Sequence, residues 1–277
     1  MTRGNDEITD WIREQIDIAV SQSGEKPVFV MTHNSPENTV YGSDDWGDKT
    51  IGNIFRDYPQ VVNISGHTHY SLLDERCFWV GDYTAIGTQS VSYTVMGGGK
   101  QNGTVPPASY KTPMGYILDF EDESIAVRRY NFTTKREEKA DHVNRIPYKI
   151  SSKNDLAKAV VFCKKPKMTD EYGRYELRQD GTHICFSAGS DEDFVHSYKL
   201  VFSDEAQQLY FTDFYNGIAE MKKNVDIKII GKKGKFDIKV YAINSSGMVS
   251  DNFTIIKNVI ISKKADYKKV YTPEMKM

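Results

Sequence analysis

The sequence predicts an α+β protein in which a mixed region of helices and strands precedes an all-β sandwich. An amphipathic helix near the N-terminus is followed by short apolar runs typical of buried strands. Beyond residue 149, strand patterns follow one another with no helical period between them. At 277 residues, 39% hydrophobic and 27% charged, the chain is long enough for two domains. We assign residues 1–148 to the first domain and 149–277 to the second.

The first elements alternate between helix and strand. Residues 6–20 predict a helix, and residues 28–31 predict a strand buried on both faces. Residues 50–58 predict a short helix, and residues 61–64 predict a second buried strand. The helical spacing of the first segment rests on Ile8, Trp11, Ile12, Gln15, Ile16 and Ala19.

The pattern then changes to antiparallel strands, which we expect at residues 90–96, 115–120 and 125–130. Residues 97–113 are rich in Gly and Pro, and their length predicts a functional flap or a mobile loop. Residues 131–153 are charged and non-periodic, which predicts a connector between the domains.

Period-two strands predict an immunoglobulin-like sandwich over about residues 154–263. We expect its strands at residues 160–163, 183–186, 197–202, 208–211, 225–230 and 235–243. The alternation from Phe236 to Asn244 resembles the penultimate strand of a fibronectin type III domain. That family usually carries Tyr at the first position, so Phe236 keeps the core-facing ring and lacks the hydroxyl.

Charge and hydropathy exclude two classes of partner. Thirty-six basic and 38 acidic residues give a net charge of −2, so the sequence predicts no nucleic-acid patch. It also shows no apolar run long enough for a membrane segment, and no signal peptide. Localisation stays open, because an upstream segment could direct the protein outside the cytoplasm.

The three cysteines have no metal-binding spacing, and we expect buried thiols. A disulfide between Cys163 and Cys185 is the less favoured alternative.

Histidines follow both predicted buried strands. His33 comes after the first strand, and Gly66-His67-Thr68-His69 follows the second. Side chains at the carboxyl ends of neighbouring strands converge on one crevice, so we expect both groups to face one cleft. Imidazole is a ligand for Zn, Fe and Mn, which makes His33, His67 and His69 candidate metal ligands.

With a helix, a strand and His33, and then a strand and Gly66-His67-Thr68-His69, residues 8–132 resemble the calcineurin-like metallophosphoesterases. That family has five motifs, of which this chain matches the last two, a lone His at a strand end and Gly-His-x-His. The resemblance implies an αββα sandwich of which the chain holds the C-terminal half. It also implies two divalent metal ions (Mn, Fe or Zn), with His33 and His67 on one ion and His69 on the other. The substrate would be a phosphate ester, with Asn34 as a substrate contact.

The carboxylate motifs of that family do not occur in this sequence. No Asp-x-His or Gly-Asn-His exists in the chain, and Asp44, Asp45 and Asp82 come after His33, in the wrong order. A bridging carboxylate holds the two ions of such a centre about 3.5–4 Å apart. We therefore assign no catalytic residue and expect the chain alone to be inactive, as a C-terminal portion of a metal-dependent phosphoester hydrolase.

Two alternatives stay open. The chain could be a non-catalytic binding or structural module centred on the sandwich, which deletion of that domain would distinguish. It could also be half of a two-chain enzyme, complemented by a separate N-terminal half; apolar sheet faces would then need covering, and we expect self-association or a swapped partner.

Other candidates have plainer interpretations. Residues 97–100, Gly-Gly-Gly-Lys, lack the spacing of a phosphate-binding loop and favour a flexible loop. Asp44, Asp45 and Trp46 either shape substrate entry or form a solvated loop, and the second role is favoured. The remaining histidines, His142, His183 and His196, are expected to have ordinary structural roles.

Overall fold

The structure, a computed structural model, describes residues 3–95, 109–156, 159, 163–212 and 222–262. These residues belong to two compact units. Unit 1 contains the described part of Met1–Thr94 and Tyr110–Phe162, and unit 2 contains that of Val95–Ser109 and Cys163–Met277. Helices and several sheets are both present, which agrees with the predicted α+β class.

The first sheet of unit 1 is built from an alternation of helices and strands. Its strands lie in the order β1-β2-β4-β3; β1, β2 and β4 are parallel, and β3 is antiparallel to β4. The carboxyl ends of β1 and β2 therefore lie at the same edge of the sheet. The elements are α1 (Arg3–Ser23), β1 (Val28–Thr32), α2 (Ser43–Trp46), α3 (Lys49–Phe55), β2 (Val61–Ser65), β3 (Phe78–Val80) and β4 (Thr84–Gly87), with a 3-10 turn at Glu75–Cys77.

Helices α1 and α3 pack on one face of this sheet. The core between them contains Ile16 from α1, Phe55 from α3 and Val61 from β2, all of which are buried. Apolar residues on the other face of the sheet, such as Val62 and Ile86, belong to a second core.

That second core lies between the first sheet and a second, antiparallel one. Strand β6 pairs with β5 on one side and with β7 and β8 on the other. These strands are β5 (Met114–Phe120), β6 (Ser124–Asn131), β7 (Arg136–Glu138) and β8 (Asn144–Pro147), followed by helix α4 (Lys153–Leu156). The predicted strands at 115–120 and 125–130 are confirmed as β5 and β6.

Three predictions for unit 1 were wrong. Strand β1 is not buried on both faces, because Phe29 and Met31, which share one face of the strand, are exposed. The described residues 90–95 form no strand, since Ser90 Oγ accepts the backbone N–H groups of Ser92 and Tyr93 and holds a turn. Residues 131–153 are not a connector, because strands β7 and β8 lie within them and join the second sheet.

Unit 2 consists of two antiparallel sheets. Their orders are β13-β10-β9 and β12-β11-β14-β15, and one apolar core includes residues of both, among them Ile184, Leu200 and Val240. The strands are β9 (Arg174–Arg178), β10 (Gly181–Ser187), β11 (Val195–Phe202), β12 (Gln207–Phe211), β13 (Asn224–Lys228), β14 (Gly234–Asn244) and β15 (Thr254–Ile261). Strands β9 and β15 were not predicted. Phe236 packs against this core, with its ring edge-to-face on Phe202.

Two predicted segments lie mostly outside the described residues. Most of the predicted strand at 160–163, and residues 97–108 of the predicted flap, lie outside the described residues. Cys77, Cys163 and Cys185 form no disulfide. Of the helices that are described, none combines the length and the apolar character needed to cross a membrane.

Candidate metal centre

Two of the predicted ligands meet where β1 and β2 end. Thr32 and Ser65 are the last residues paired between the two strands, so the loops that follow start side by side. His33 Nε2 and His67 Nδ1 lie 3.0 Å apart, within hydrogen-bonding distance. The two rings meet edge to face, at an interplanar angle of 83°. His33 and His67 therefore lie side by side, as expected of residues that follow neighbouring parallel strands.

Backbone and hydroxyl bonds hold the two loops together. The Gly66 N–H donates to the carbonyl of His33 at 3.1 Å. The hydroxyls of Ser35 and Ser65, both buried, share a hydrogen bond of 2.8 Å. The relative position of His33 and His67 is therefore fixed by contacts next to each residue in the chain.

A buried amide extends this support into the sheet. Asn63 lies in the middle of β2 and is fully buried, and its Nδ2 donates to Thr32 Oγ1 at 2.9 Å and to the Val30 carbonyl. Thr32 Oγ1 in turn donates to the carbonyl of Asn34 at 2.7 Å. We did not predict this role for Asn63. The available signal was a single amide within the apolar run at residues 61–64.

Both histidines of the Gly-His-Thr-His segment have unusual backbone angles. The φ of His67 is 71° and that of His69 is 56°, in the left-handed region that residues other than glycine seldom adopt. Such conformations cost about 1–3 kcal/mol each and cluster at functional sites. In this segment they occur at two of the three candidate metal ligands.

His69 is the third predicted ligand. Its ring contacts Tyr93 edge to face, with centroids 4.7 Å apart, and its Nδ1 is buried without a hydrogen-bond partner among the described residues. Burial, and then the nearby His67 and His33, lower the pKa of His69. The neutral imidazole, which is the form that binds metals, is therefore favoured at this position.

Two of the three candidate donors have the spacing of ligands on one metal ion. Metal–nitrogen bonds are about 2.0–2.1 Å long, so two nitrogens at right angles around one ion lie about 3.0 Å apart. The separation of His33 Nε2 and His67 Nδ1 matches that value. Within the described part of the chain, His33, His67 and His69 do not form a group with ligand atoms within 4.8 Å of one another, and no carboxylate completes such a group around them.

Helix α2 lies beside His67. Trp46, 56% exposed, lies against His67 with ring centroids 5.5 Å apart, and Asp44 and Asp45 are also exposed. The helix is anchored through Tyr41, whose ring contacts Tyr70 at 4.5 Å and also faces a guanidinium.

The predicted substrate contact, Asn34, is half-buried beside His33, and its backbone carbonyl accepts a hydrogen bond from Thr32.

Burial, and then Asp45 and Asp44, raise the pKa of Tyr70 to about 12. Tyr70 is therefore a neutral phenol next to the segment that carries the histidines.

Each of the other histidines lies near a carboxylate or a hydroxyl. His142 Nδ1 lies 4.0 Å from Glu75, whose carboxylate is already paired with Arg129 and Lys139. His183 lies between two carboxylates on the three-stranded sheet of unit 2, and His196 is buried with its Nδ1 near Ser197 Oγ.

Comparisons with known proteins add little. No protein-family model matches the chain, and no curated protein matches it. One solved structure, described as the extracellular domain of a hybrid two component system from B. thetaiotaomicron, is similar over 58% of this chain at 10% identity, with a TM-score of 0.22. A second, described as the extracellular domain of a one component system from that organism, is similar over 53% at 11% identity, with a TM-score of 0.19.

The similar regions span 27% and 24% of those structures. Similarities of this size carry no argument about the fold or function of this chain.

Proposed function

We propose that this chain carries the C-terminal portion of a binuclear metal centre of the calcineurin-like metallophosphoesterase type. The function of the complete centre is metal-dependent hydrolysis of a phosphate ester. The contact between His33 and His67 carries the proposal. It brings together the two family motifs that the chain contains, the lone His and Gly-His-x-His. The left-handed backbone of His67 and His69 and the unpartnered Nδ1 of His69 support it.

The residues have separate roles in this proposal. His33 and His67 hold one divalent ion, His69 holds the other, and Asn34 contacts the substrate. Asn63 and Thr32 position the loop that bears His33, and Trp46 limits one side of the cleft. When bound, the pair of ions supplies an activated water and neutralises charge on the phosphoryl oxygens.

The arrangement of the sheets agrees with the family on which the proposal rests. Two sheets enclose one core of unit 1, and helices cover one outer face, as expected for part of an αββα sandwich. For unit 2, a three-stranded sheet and a four-stranded sheet support the fibronectin type III-like domain.

Metal binding is the first test. Calorimetric titration of the purified chain with Mn²⁺ or Zn²⁺ should show binding at the histidines. His33→Ala and His67→Ala should each weaken metal binding at least about tenfold. Loss of an outer-shell contact weakens metal affinity about 10–100-fold, and loss of a direct ligand should cost no less. His183→Gln, at a histidine paired with Asp180 and Asp226, is the matched control and should leave metal affinity unchanged. Absence of metal binding by the wild-type chain would refute the proposal.

Turnover is the second test. The chain loaded with Mn²⁺, Fe²⁺ or Zn²⁺ should hydrolyse bis(4-nitrophenyl) phosphate at close to the background rate, because no carboxylate joins the three histidines among the described residues. Robust turnover that is lost in His67→Ala would show that the carboxylate motifs are dispensable.

The incomplete donor set also favours a second function, half of a two-chain enzyme. A polypeptide with the missing carboxylates would then restore turnover when it is mixed with this chain. Restored activity should depend on His33 and His67, whereas activity independent of both would come from the added polypeptide alone.

A further inference from the structure

The backbone of β1 is unpaired along one side. The Val28 N–H donates to the Gln60 carbonyl at 2.8 Å, so Val28, Val30 and Thr32 direct their backbone groups toward β2. Backbone groups alternate in direction along a strand, and those of Phe29 and Met31 therefore point away from β2. In the described part of the chain, β1 pairs with β2 alone.

The side chains of β1 do not protect this edge. Strand edges are usually blocked by a charged residue, a proline or a bulge, and Val-Phe-Val-Met-Thr has none of these. Phe29 is 37% exposed and Met31 is 79% exposed. An uncharged strand of this kind is a template for pairing with another strand.

Helix α1 adds exposed apolar side chains next to this edge. Ile8, Trp11 and Ile18 recur at helical spacing and are 60%, 59% and 43% exposed. A groove of about 400 Å³ separates this helix from β1, and its lining includes Trp11, Ile12 and all of Val28–Thr32. Helix and strand border this groove together, and we call them the β1 edge surface; the exposed side chains of Phe29 and Met31 point to the face of the sheet opposite α1, because Val30 between them packs in the core with α1.

We propose that the β1 edge surface is the contact between two copies of this chain, related by a two-fold axis through Val30. In that register β1 runs antiparallel to its copy, and Phe29 lies opposite Met31 of the second copy. The backbone groups of both residues point at the partner, so each such pair exchanges two N–H···O bonds.

The strand is complementary to itself in this register. Phe29 meets Met31 across the axis and Val30 meets Val30, so apolar side chains face one another and no like charges meet. An axis perpendicular to the sheet keeps both α1 helices on the same face, which brings the exposed stripes with Trp11 near each other. The two four-stranded sheets then become one sheet of eight strands.

The mass of the full chain in solution tests this contact. Sedimentation equilibrium should give twice the chain mass of 31.6 kDa. Met31→Pro removes only an outward-facing N–H, which an edge strand tolerates, and Met31→Lys places a charge at the contact. Each should raise the dissociation constant at least about tenfold, since the two-fold axis doubles the hydrogen bond lost in Met31→Pro and the charge introduced in Met31→Lys.

Ile117→Lys is the matched control. Ile117 is 48% exposed on β5, the edge strand of the second sheet, so this variant should keep the wild-type mass. Circular dichroism should show that all variants are folded. If one Met31 variant does not fold, the mass of the other tests the contact.

A monomeric wild-type chain would overturn the proposal and leave the edge to a strand of another polypeptide. A dimer that persists in both folded Met31 variants, or that Ile117→Lys disrupts equally, would also overturn it.

Discussion

Nδ1 of His67 lies 3.0 Å from Nε2 of His33, although 34 positions separate the two residues in the chain. The parallel pairing of β1 and β2 produces this contact, because it aligns Thr32 with Ser65 at the strand ends. The metal site that we propose therefore depends on the register of two strands as much as on the histidines themselves.

Support of the His33 loop by Thr32 can be measured. Thr32→Val keeps the shape of the side chain but removes the hydroxyl that accepts from Asn63 and donates to Asn34. The unfolding free energy should fall by about 1–3 kcal/mol, because buried polar groups lose their partners. Metal affinity should fall as well, by calorimetry.

Thr84→Val is the matched control, since the buried Thr84 hydroxyl has no hydrogen-bond partner among the described residues. Its unfolding free energy should equal or exceed that of the wild type. Equal stability of Thr32→Val and Thr84→Val in urea denaturation would contradict the supporting role of Thr32.

Gly42 permits the close packing of the α2 loop on Tyr70. Its φ is 83°, and a Cβ atom at this position would clash with the Tyr70 ring. Gly42→Ala should therefore destabilise the protein by more than the about 1–2 kcal/mol that a left-handed backbone costs alanine.

Gly24→Ala separates the two effects. Gly24 has a φ of 63° with no atom near the added Cβ, so the substitution should cost only the free energy of placing alanine in a left-handed backbone conformation. Thermal denaturation should rank wild type above Gly24→Ala and Gly24→Ala above Gly42→Ala. The reverse order of the two variants would exclude the clash.

Glu75 should make stability depend on pH in acid. Burial by itself raises the pKa of Glu75, but Arg129 and Lys139 lower it by more, so its pKa lies below the ordinary value of 4.5. The stabilisation is complete above the ordinary value and is lost as the pH falls through the lowered one. Melting temperatures of the wild type should therefore fall steeply below about pH 4.5.

Glu75→Gln should flatten that acid dependence. At neutral pH it should cost about 3–5 kcal/mol, because Arg129 stays buried without its carboxylate partner. An unchanged acid slope in the variant would show that other carboxylates dominate.

Cys77 should be inert in the folded protein. It is buried, its thiol donates to the Ser71 carbonyl at 3.3 Å, and burial raises its pKa well above the usual value. The thiolate is the reactive form, so iodoacetamide should modify Cys77 only after unfolding. Cys163, which is half-exposed, serves as the comparison in the same mass spectrum. Equal labelling of both in native buffer would contradict this burial.

The sequence predicted those elements whose local pattern agrees with their packing. Strand β2 is buried as its apolar run indicates, and β5, β6 and β14 follow their alternation. It failed where a single contact overrides the pattern, as at Ser90, whose hydroxyl holds a turn in a segment with a strand-like alternation.

By itself, the sequence identified three candidate metal ligands and predicted that two strand ends would carry them. It also showed that no Asp-x-His motif accompanies them. Only the tertiary structure decided that β1 is an open edge, that His67 and His69 adopt left-handed backbones, and that Asn63 supports the His33 loop. These features depend on which strands become neighbours, and residues distant in the sequence set that choice through packing, which no local pattern encodes.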